Sequence, residues 1–353
     1  MNRGTILRRF IFSIIFLAGT ATAADKSNIL ILATGGTIAG SAESQTQAGY
    51  TSGQVGVDIL INAVPQIKEI ANISGEQVAN VGSQDMSDAI WLELAARVNT
   101  LLGQSEVDGI VITHGTDTIE ETGYFLNLVV HSGKPVVLTA AMRPSTALSA
   151  DGPLNIYNAV AVAADKNAAN RGVLVVANDD IHGARSIVKT SATDVQTFMS
   201  PEYGLMGASL YGENRWFRTP FRLNTKDSAF SLEGVDKLPR VDVLYVTADM
   251  STDLIDAAVA NGAKGIVTAG VGNGNMTGAA LKAVAAAVKK GVVVVRATRV
   301  PTGNVGRNVE VNDDEIGTVV AGELSPAKAR VLLKLALLKT SDAGEIQQLF
   351  DTY

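Results

Sequence analysis

The chain has 353 residues, 46% apolar and 18% charged, with 34 glycines: a soluble globular composition, long enough for two domains. A formal net charge of −6, with no basic run beyond the first segment, argues against nucleic acid and anionic membrane surfaces as partners. The absence of cysteine excludes thiol catalysis, thiolate metal sites and disulfides, and His114, His131 and His182 show no metal-ligand spacing such as H-E-x-x-H.

The first segment stands apart. Met1-Asn2-Arg3 through Arg8-Arg9 is basic, 10–18 is almost wholly apolar, and Ala21-Thr22-Ala23 is a small-residue cleavage site. Residues 1–23 therefore read as a secretory signal peptide, with an apolar run too short to span a membrane. Losing Arg3, Arg8 and Arg9 from 29 basic against 35 acidic residues takes the net charge to −9. Beyond it, strand-like apolar runs recur at 29–33, 109–113, 135–139, 172–177, 241–247, 265–269 and 292–296. Helix-length segments fall between most of them, at about 57–71, 87–102, 118–131, 154–164, 252–260, 277–290 and 326–339. This alternation predicts an α/β fold of right-handed crossovers. The larger N-terminal domain, 24–215, should hold a mostly parallel, doubly wound sheet with helices on both faces. A polar stretch with Pro220 and Pro239 reads as a linker, 216–240, preceded by a β-hairpin around 203–217. A smaller parallel α/β domain, 241–353, follows.

Three strand ends draw the eye. The run 29–33 ends in Thr34-Gly35-Gly36-Thr37, where glycines permit a sharp turn and close ligand approach while Thr34 and Thr37 offer equivalent hydroxyls. The run 109–113 leads into His114-Gly115-Thr116-Asp117-Thr118; Thr118 with Glu121 fits a capping box, placing Thr116 and Asp117 at a helix N-terminus. Asp117 there suits either a helix cap or the ammonium group of a ligand. The run 265–269 leads into Gly270-Val271-Gly272-Asn273-Gly274-Asn275, a glycine-rich turn presenting two amides. Residues 41–54 form a polar loop with one aromatic, Tyr50, open to reading as a mobile lid or a surface loop. A threonine nucleophile needs a base, and with no G-x-S-x-G elbow and few histidines a lysine such as Lys189 is the available substitute. Neither a dinucleotide fingerprint nor a Walker loop occurs. Residue chemistry alone thus describes an exported α/β protein with Gly- and Thr-lined strand ends and leaves the reaction open.

The stretches Ala33-Thr34-Gly35-Gly36-Thr37-Ile38-Ala39 and Thr113-His114-Gly115-Thr116-Asp117-Thr118 closely resemble the two signatures of bacterial L-asparaginases. Similarity extends over about 28–353 and includes Gly82-Ser83-Gln84-Asp85-Met86, Met142-Arg143-Pro144-Ser145 and Ala327-Lys328-Ala329-Arg330. With the signal peptide, the chain resembles the type II, periplasmic branch. The resemblance implies hydrolysis of L-asparagine to L-aspartate and ammonia without metal or cofactor. It implies Thr37 as nucleophile, Thr116 as its partner across the scissile amide, and Lys189 paired with Thr116 beside Asp117. Tyr50 would close over Thr37, held by Glu310. Ser83, Gln84 and Asp117 would hold the substrate's charged ends, with Gly36 and Ala141 lining the pocket. Asn275 and Glu310 would reach across from a neighbouring subunit of a homotetramer. Gly82–Asp85 and Asn275 resemble the asparagine-preferring branch; a broader glutaminase-asparaginase and a periplasmic amino-acid-binding protein without catalysis are the alternatives.

Overall fold

The computed structural model of the chain describes residues 26–46 and 49–353; the segment read as a signal peptide lies outside the described residues. The N-terminal half is built on β1 (Asn28–Gly35), β2 (Asn72–Val81), β3 (Gly109–Thr113), β4 (Val136–Thr139), β5 (Val173–Ala177) and β6 (Asp180–Gly183). Two further strands, β7 (Val188–Lys189) and β8 (Phe198–Met199), pair only with each other among the described residues, and β9 (Gly207–Leu210) and β10 (Glu213–Trp216) form a hairpin. The eight-stranded sheet runs β10-β9-β6-β5-β4-β3-β1-β2. Strands β2, β1, β3, β4 and β5 are mutually parallel, and β6, β9 and β10 extend the β5 edge in antiparallel fashion.

Helices cover both faces. Every residue of β3, β4 and β5 is buried, and successive side chains enter opposite cores. Leu32, Ile110, Ile112 and Leu138 pack beneath α3 (Asp88–Leu102) and α4 (Ile119–Val129). Ile31, Val111, Val137 and Leu174 face α1 (Val57–Ala63), α2 (Ile67–Ile70) and α5 (Gly152–Ala164). Each such side chain contributes about 1.5–3 kcal/mol by leaving water.

Local chemistry explains the departures from expectation. The helix read at 57–71 is two short ones, because Pro65 has no N–H and drives Val64 to φ −130°, ψ 67°. Strand β2 has no counterpart in the sequence reading; it is an edge strand with alternating, mostly incomplete burial and polar Glu76, Gln77 and Asn80, so it lacks an apolar run. The hairpin expected around 203–217 turns at Tyr211-Gly212, both with positive φ (50° and 85°), as a twist-matched two-residue turn requires. Residues 217–240 carry only a 3-10 turn, Thr225–Asp227, with Phe230 and Leu238 buried as anchors.

The C-terminal sheet runs β11 (Val241–Tyr245), β12 (Gly265–Gly270), β13 (Val293–Thr298) and β14 (Val319–Val320) in chain order, all parallel. Helices α6 (Asp253–Ala260) and α7 (Gly278–Lys289) cover one face, and α8 (Asp313–Ile316) follows β13. On the other face α9 (Pro326–Ala336) and α10 (Ala343–Thr352) join the core that also contains α3 and α4. The two domains thus share one apolar seam, crossed by the ion pairs Lys334–Asp88 (2.6 Å), Arg330–Glu121 (3.4 Å) and Lys328–Glu120 (3.5 Å).

Candidate active site

The parallel strands stand in the order β2-β1-β3-β4-β5, so the winding reverses between β1 and β3. Open α/β sheets bind ligands outside the carboxyl ends of strands at such a switch point. Both glycine- and threonine-rich turns emerge there. Gly35 and Gly36 have φ of 105° and 80°, a region that side-chain-bearing residues avoid. A Cβ on Gly36 would lie 2.4 Å from the Gly115 backbone, so the two turns meet in direct main-chain contact.

Hydrogen bonding separates the two threonines that composition left equivalent. Thr34 Oγ1 donates to Thr113 O at 2.9 Å and ties the end of β1 to β3. Thr37, on a 3-10 turn (Thr37–Ala39), has Oγ1 2.6 Å from the Tyr50 hydroxyl and remains 6% exposed. Tyr50 comes from the 41–54 loop, which is fastened to the sheet rather than free-standing. Ser41 and Thr51 pair through both amides, Ala42 N donates to Thr146 Oγ1 and Gly53 N to Gly36 O.

The second turn is held from three directions. A short 3-10 turn, Ser83–Asp85, ends β2, and Ser83 Oγ accepts from Asp117 N (3.2 Å) while Ser83 O accepts from Thr118 Oγ1 (2.7 Å). That last bond replaces the expected capping box: the Thr118 hydroxyl is committed to Ser83 and caps no amide of α4. Beneath the turn, Trp91 Nε1 donates to Thr122 Oγ1 (2.9 Å), which donates to His114 Nε2 (3.0 Å), while His114 Nδ1 donates to Gly115 O (2.8 Å). Gly115 O can only accept, so the proton sits on Nδ1 and the ring is neutral. Burial pushes the imidazole down to about 4, only partly offset by the bond to Gly115. Trp91 and Thr122 were not foreseen as supports; the one available signal was a threonine within the apolar stretch of α4.

The third direction is Lys189. Its Nζ donates to Thr116 Oγ1 at 2.9 Å and to Asp117 Oδ1 at 2.6 Å. The lysine side chain is 18% exposed and that of Asp117 56%, so the ammonium is largely sheltered while the carboxylate opens to solvent. Gln84 is exposed and donates to its neighbour Asp85 (3.3 Å). Ala141 is buried just past the end of β4, beside Gly152 and Ile38.

Asn275 and Glu310 form a pair of their own, Asn275 Nδ2 donating to Glu310 Oε2 at 2.5 Å. Behind them, the buried Arg296 guanidinium donates to Asn273 O, Gly274 O and Gly306 O and to both oxygens of Asp313. Burial raises the Asp313 carboxyl, but bonds from Arg296, Thr318 and the Asn308 amide outweigh it and hold it below the usual carboxylate range. Among the described residues no hydrogen bond joins Asn275 or Glu310 to Thr37, Tyr50, Thr116 or Lys189. Within one chain Glu310 therefore holds Asn275 and not Tyr50. A cleft of about 630 Å³ lies between the domains, lined by Val188, Tyr245, Arg299 and Lys328, and none of the switch-point hydroxyls opens into it. The switch point itself offers one hydroxyl beside a phenol, a second beside an amine, and a carboxylate at a helix entrance, a set suited to acyl transfer with a small zwitterion.

Residues 28–222 match the family model described as asparaginase, N-terminal, and 240–350 the glutaminase/asparaginase C-terminal domain. The chain is 53% identical to L-asparaginase 2 of Escherichia coli (strain K12) over 326 residues, 92% of this chain and 93% of that one. It is 52% identical to the probable periplasmic L-asparaginase of Haemophilus influenzae over 94% of this chain and 95% of that one. Among solved structures, the probable cytoplasmic L-asparaginase from Campylobacter jejuni superposes with a TM-score of 0.90 at 47% identity, covering 93% of this chain and all of that one. With both halves matched and two relatives more than half identical along nearly their whole length, the chain belongs to the asparaginase family of amidohydrolases.

Proposed function

We propose that the chain hydrolyses the side-chain amide of L-asparagine to L-aspartate and ammonia, with Thr37 as nucleophile. The observation that carries this reading is the convergence of Lys189 Nζ on Thr116 Oγ1 (2.9 Å) and Asp117 Oδ1 (2.6 Å) beside the turn that presents Thr37. A threonine hydroxyl is a weak nucleophile until a neighbour takes its proton. In this reading the Thr37 hydroxyl attacks the amide carbon and gives its proton to the Tyr50 oxygen, 2.6 Å away, as the phenol passes its own proton to the amide nitrogen. The Thr116–Lys189 pair gives that nitrogen a second proton as the C–N bond breaks, so that it leaves as ammonium. The pair then takes a proton from the water that attacks the acyl carbon, and Thr37 recovers its proton from the carboxyl so formed. Asp117, Ser83 and Gln84 hold the α-ammonium and α-carboxylate, and Gly36 and Ala141 shape the wall around the side chain. Fixing both charged ends gives selectivity, because an ill-fitting substrate leaves buried polar groups unpaired.

Asn275 and Glu310 are assigned to the site of a neighbouring chain in a homotetramer; their pairing away from Thr37 in the single chain supports that assignment. Residues 1–23 are assigned as a signal peptide for export to the periplasm. The named location of the H. influenzae relative supports this, whereas the C. jejuni neighbour is named cytoplasmic, so the assignment leans on the N-terminal sequence. The division into 24–215, 216–240 and 241–353 is supported in outline by the two sheets and the two family models, with β10 carrying the first sheet to Trp216 and the N-terminal model reaching 222. The C-terminal model's name joins glutaminase to asparaginase, so the second reading is an enzyme that takes both amides.

The test is ammonia release from L-asparagine by purified wild type and Thr37→Ala. Wild type should turn over and the variant should lose at least about a thousandfold in kcat. Near wild-type turnover by the variant would overturn the nucleophile assignment. Asparagine binding by wild type with no ammonia would point instead to a solute-binding protein. The ratio of kcat/KM for asparagine and glutamine decides between the two amidase readings.

A further inference from the structure

Lys189 sits on β7, a two-residue strand paired only with β8, outside both main sheets. Such a short ladder is a poor anchor for an amine that must stay within hydrogen-bond reach of Thr116 and Asp117. The anchor comes from the other domain. Lys328, in the first turn of α9, is 1% exposed, and its Nζ donates to the carbonyl of Ile187, two residues before Lys189. The same Nζ lies 3.5 Å from Glu120 Oε2, in the first turn of α4, the helix entered through Thr116-Asp117-Thr118. One buried ammonium thus grips both strands of chain whose side chains meet at Lys189–Thr116–Asp117.

The position is physically unfavourable for a cation. Burial disfavours the charged amine, and a helix N-terminus repels positive charge. The Ser325 cap accepts the Lys328 amide, so the residue is locked into that first turn. Among the described residues Glu120 Oε2 has no other partner, and the Ile187 carbonyl belongs to a fully buried residue. A sequence that keeps so costly a charge at a domain seam departs from local preference, and such departures mark functional positions.

We propose that Lys328 is a positioning residue that sets the spacing of Lys189 to Thr116 and Asp117 from the C-terminal domain. This rests on the reading of the Thr116–Lys189 pair as the proton-handling set. Lys334 supplies the control: it lies on the same helix, is 3% exposed and crosses the same seam to Asp88 at 2.6 Å, but does not touch 187–189.

The experiment measures kcat, KM and unfolding temperature for wild type, Lys328→Met and Lys334→Met, with asparagine as substrate. Lys328→Met should lose roughly 10- to 100-fold in kcat, with KM within about threefold of wild type, because misplacing a catalytic group by about 1 Å slows chemistry more than binding. Lys334→Met should unfold at lower temperature and keep kcat within about threefold of wild type. If Lys328→Met unfolds near the assay temperature, Lys328→Met with Glu120→Gln removes both buried charges and carries the same expectation. An unchanged kcat in the Lys328 variants, or an equal loss in Lys334→Met, would overturn the proposal while leaving the functional reading intact. A wild type that releases no ammonia would overturn both.

Discussion

At the scale of residues, the two threonines of the first turn divide their labour by what their hydroxyls touch. Thr34 is spent on the Thr113 carbonyl inside the sheet, and Thr37 faces Tyr50. Thr34→Val should therefore cost about 1–3 kcal/mol of stability through an unpaired buried carbonyl and leave turnover nearly intact. Thr37→Val should do the reverse, with an unchanged denaturation midpoint and no ammonia release. Urea titration alongside the ammonia assay reads both, and a stable, inactive Thr34→Val would contradict the division. Composition could not separate the two, since the distinction lies in a strand neighbour 79 residues away. Lys189 was equally opaque from its neighbours in sequence. Its exposure is decided by β7 and β8, short strands with no apolar run to announce them.

At the scale of elements, the parallel strands were legible because burial on both faces demands unbroken runs of Val, Ile and Leu. That logic located β1, β3, β4 and β5 and the first three strands of the second sheet, and it missed β2, which as an edge strand does not need such a run. The same gap hid the reason Ser83 stands where it does, at the end of β2 beside the switch point. The glycine-rich turn after β12 was visible, but the buried Arg296–Asp313 pair that shapes it was not, because a charged residue inside a strand carries no periodic signal. Arg296→Met should lower stability by about 3–5 kcal/mol by leaving Asp313 buried without its partner. The guanidinium also holds Asn273 O, Gly274 O and Gly306 O, so asparagine turnover should fall in the same variant. A denaturant midpoint equal to that of wild type would remove the pair from this role.

At the scale of the molecule, acidity acts through two buried imidazoles. Burial pushes His114 and His182 from 6.5 down to about 4, with the nearby Lys328 charge adding to the effect at His182. In the unfolded chain they accept protons near the ordinary value, while in the folded chain they stay neutral. Their contribution is thus fully present above about pH 6.5 and is lost as the pH falls toward 4, at up to about 1.4 kcal/mol per pH unit for each. Glu121, raised by burial, opposes part of that loss. Urea midpoints at pH 7 and pH 5 should differ accordingly, and His182→Asn should flatten the difference; an equal slope in the variant would assign it elsewhere. If sites are shared between chains, co-refolding inactive Thr37→Ala with inactive Glu310→Ala should restore about a quarter of the sites, because half the pairs are mixed and each mixed pair holds one intact site. No recovery would mean that each chain completes its own site. Sequence alone reached the two-domain α/β plan and the two turns; it could not reach the seam through which α9 braces the first domain.

The backbone contact between Gly36 and Gly115 has a consequence for how this protein can change. Its two turns mate like the faces of a closed joint, so neither position has a viable intermediate on the way to a different residue, and a compensating change at the other has nothing smaller to offer. Random mutagenesis aimed at new substrates will find that joint closed. The open route lies on its rim, at exposed side chains such as Gln84, which can vary without moving the main chain that carries the hydroxyls.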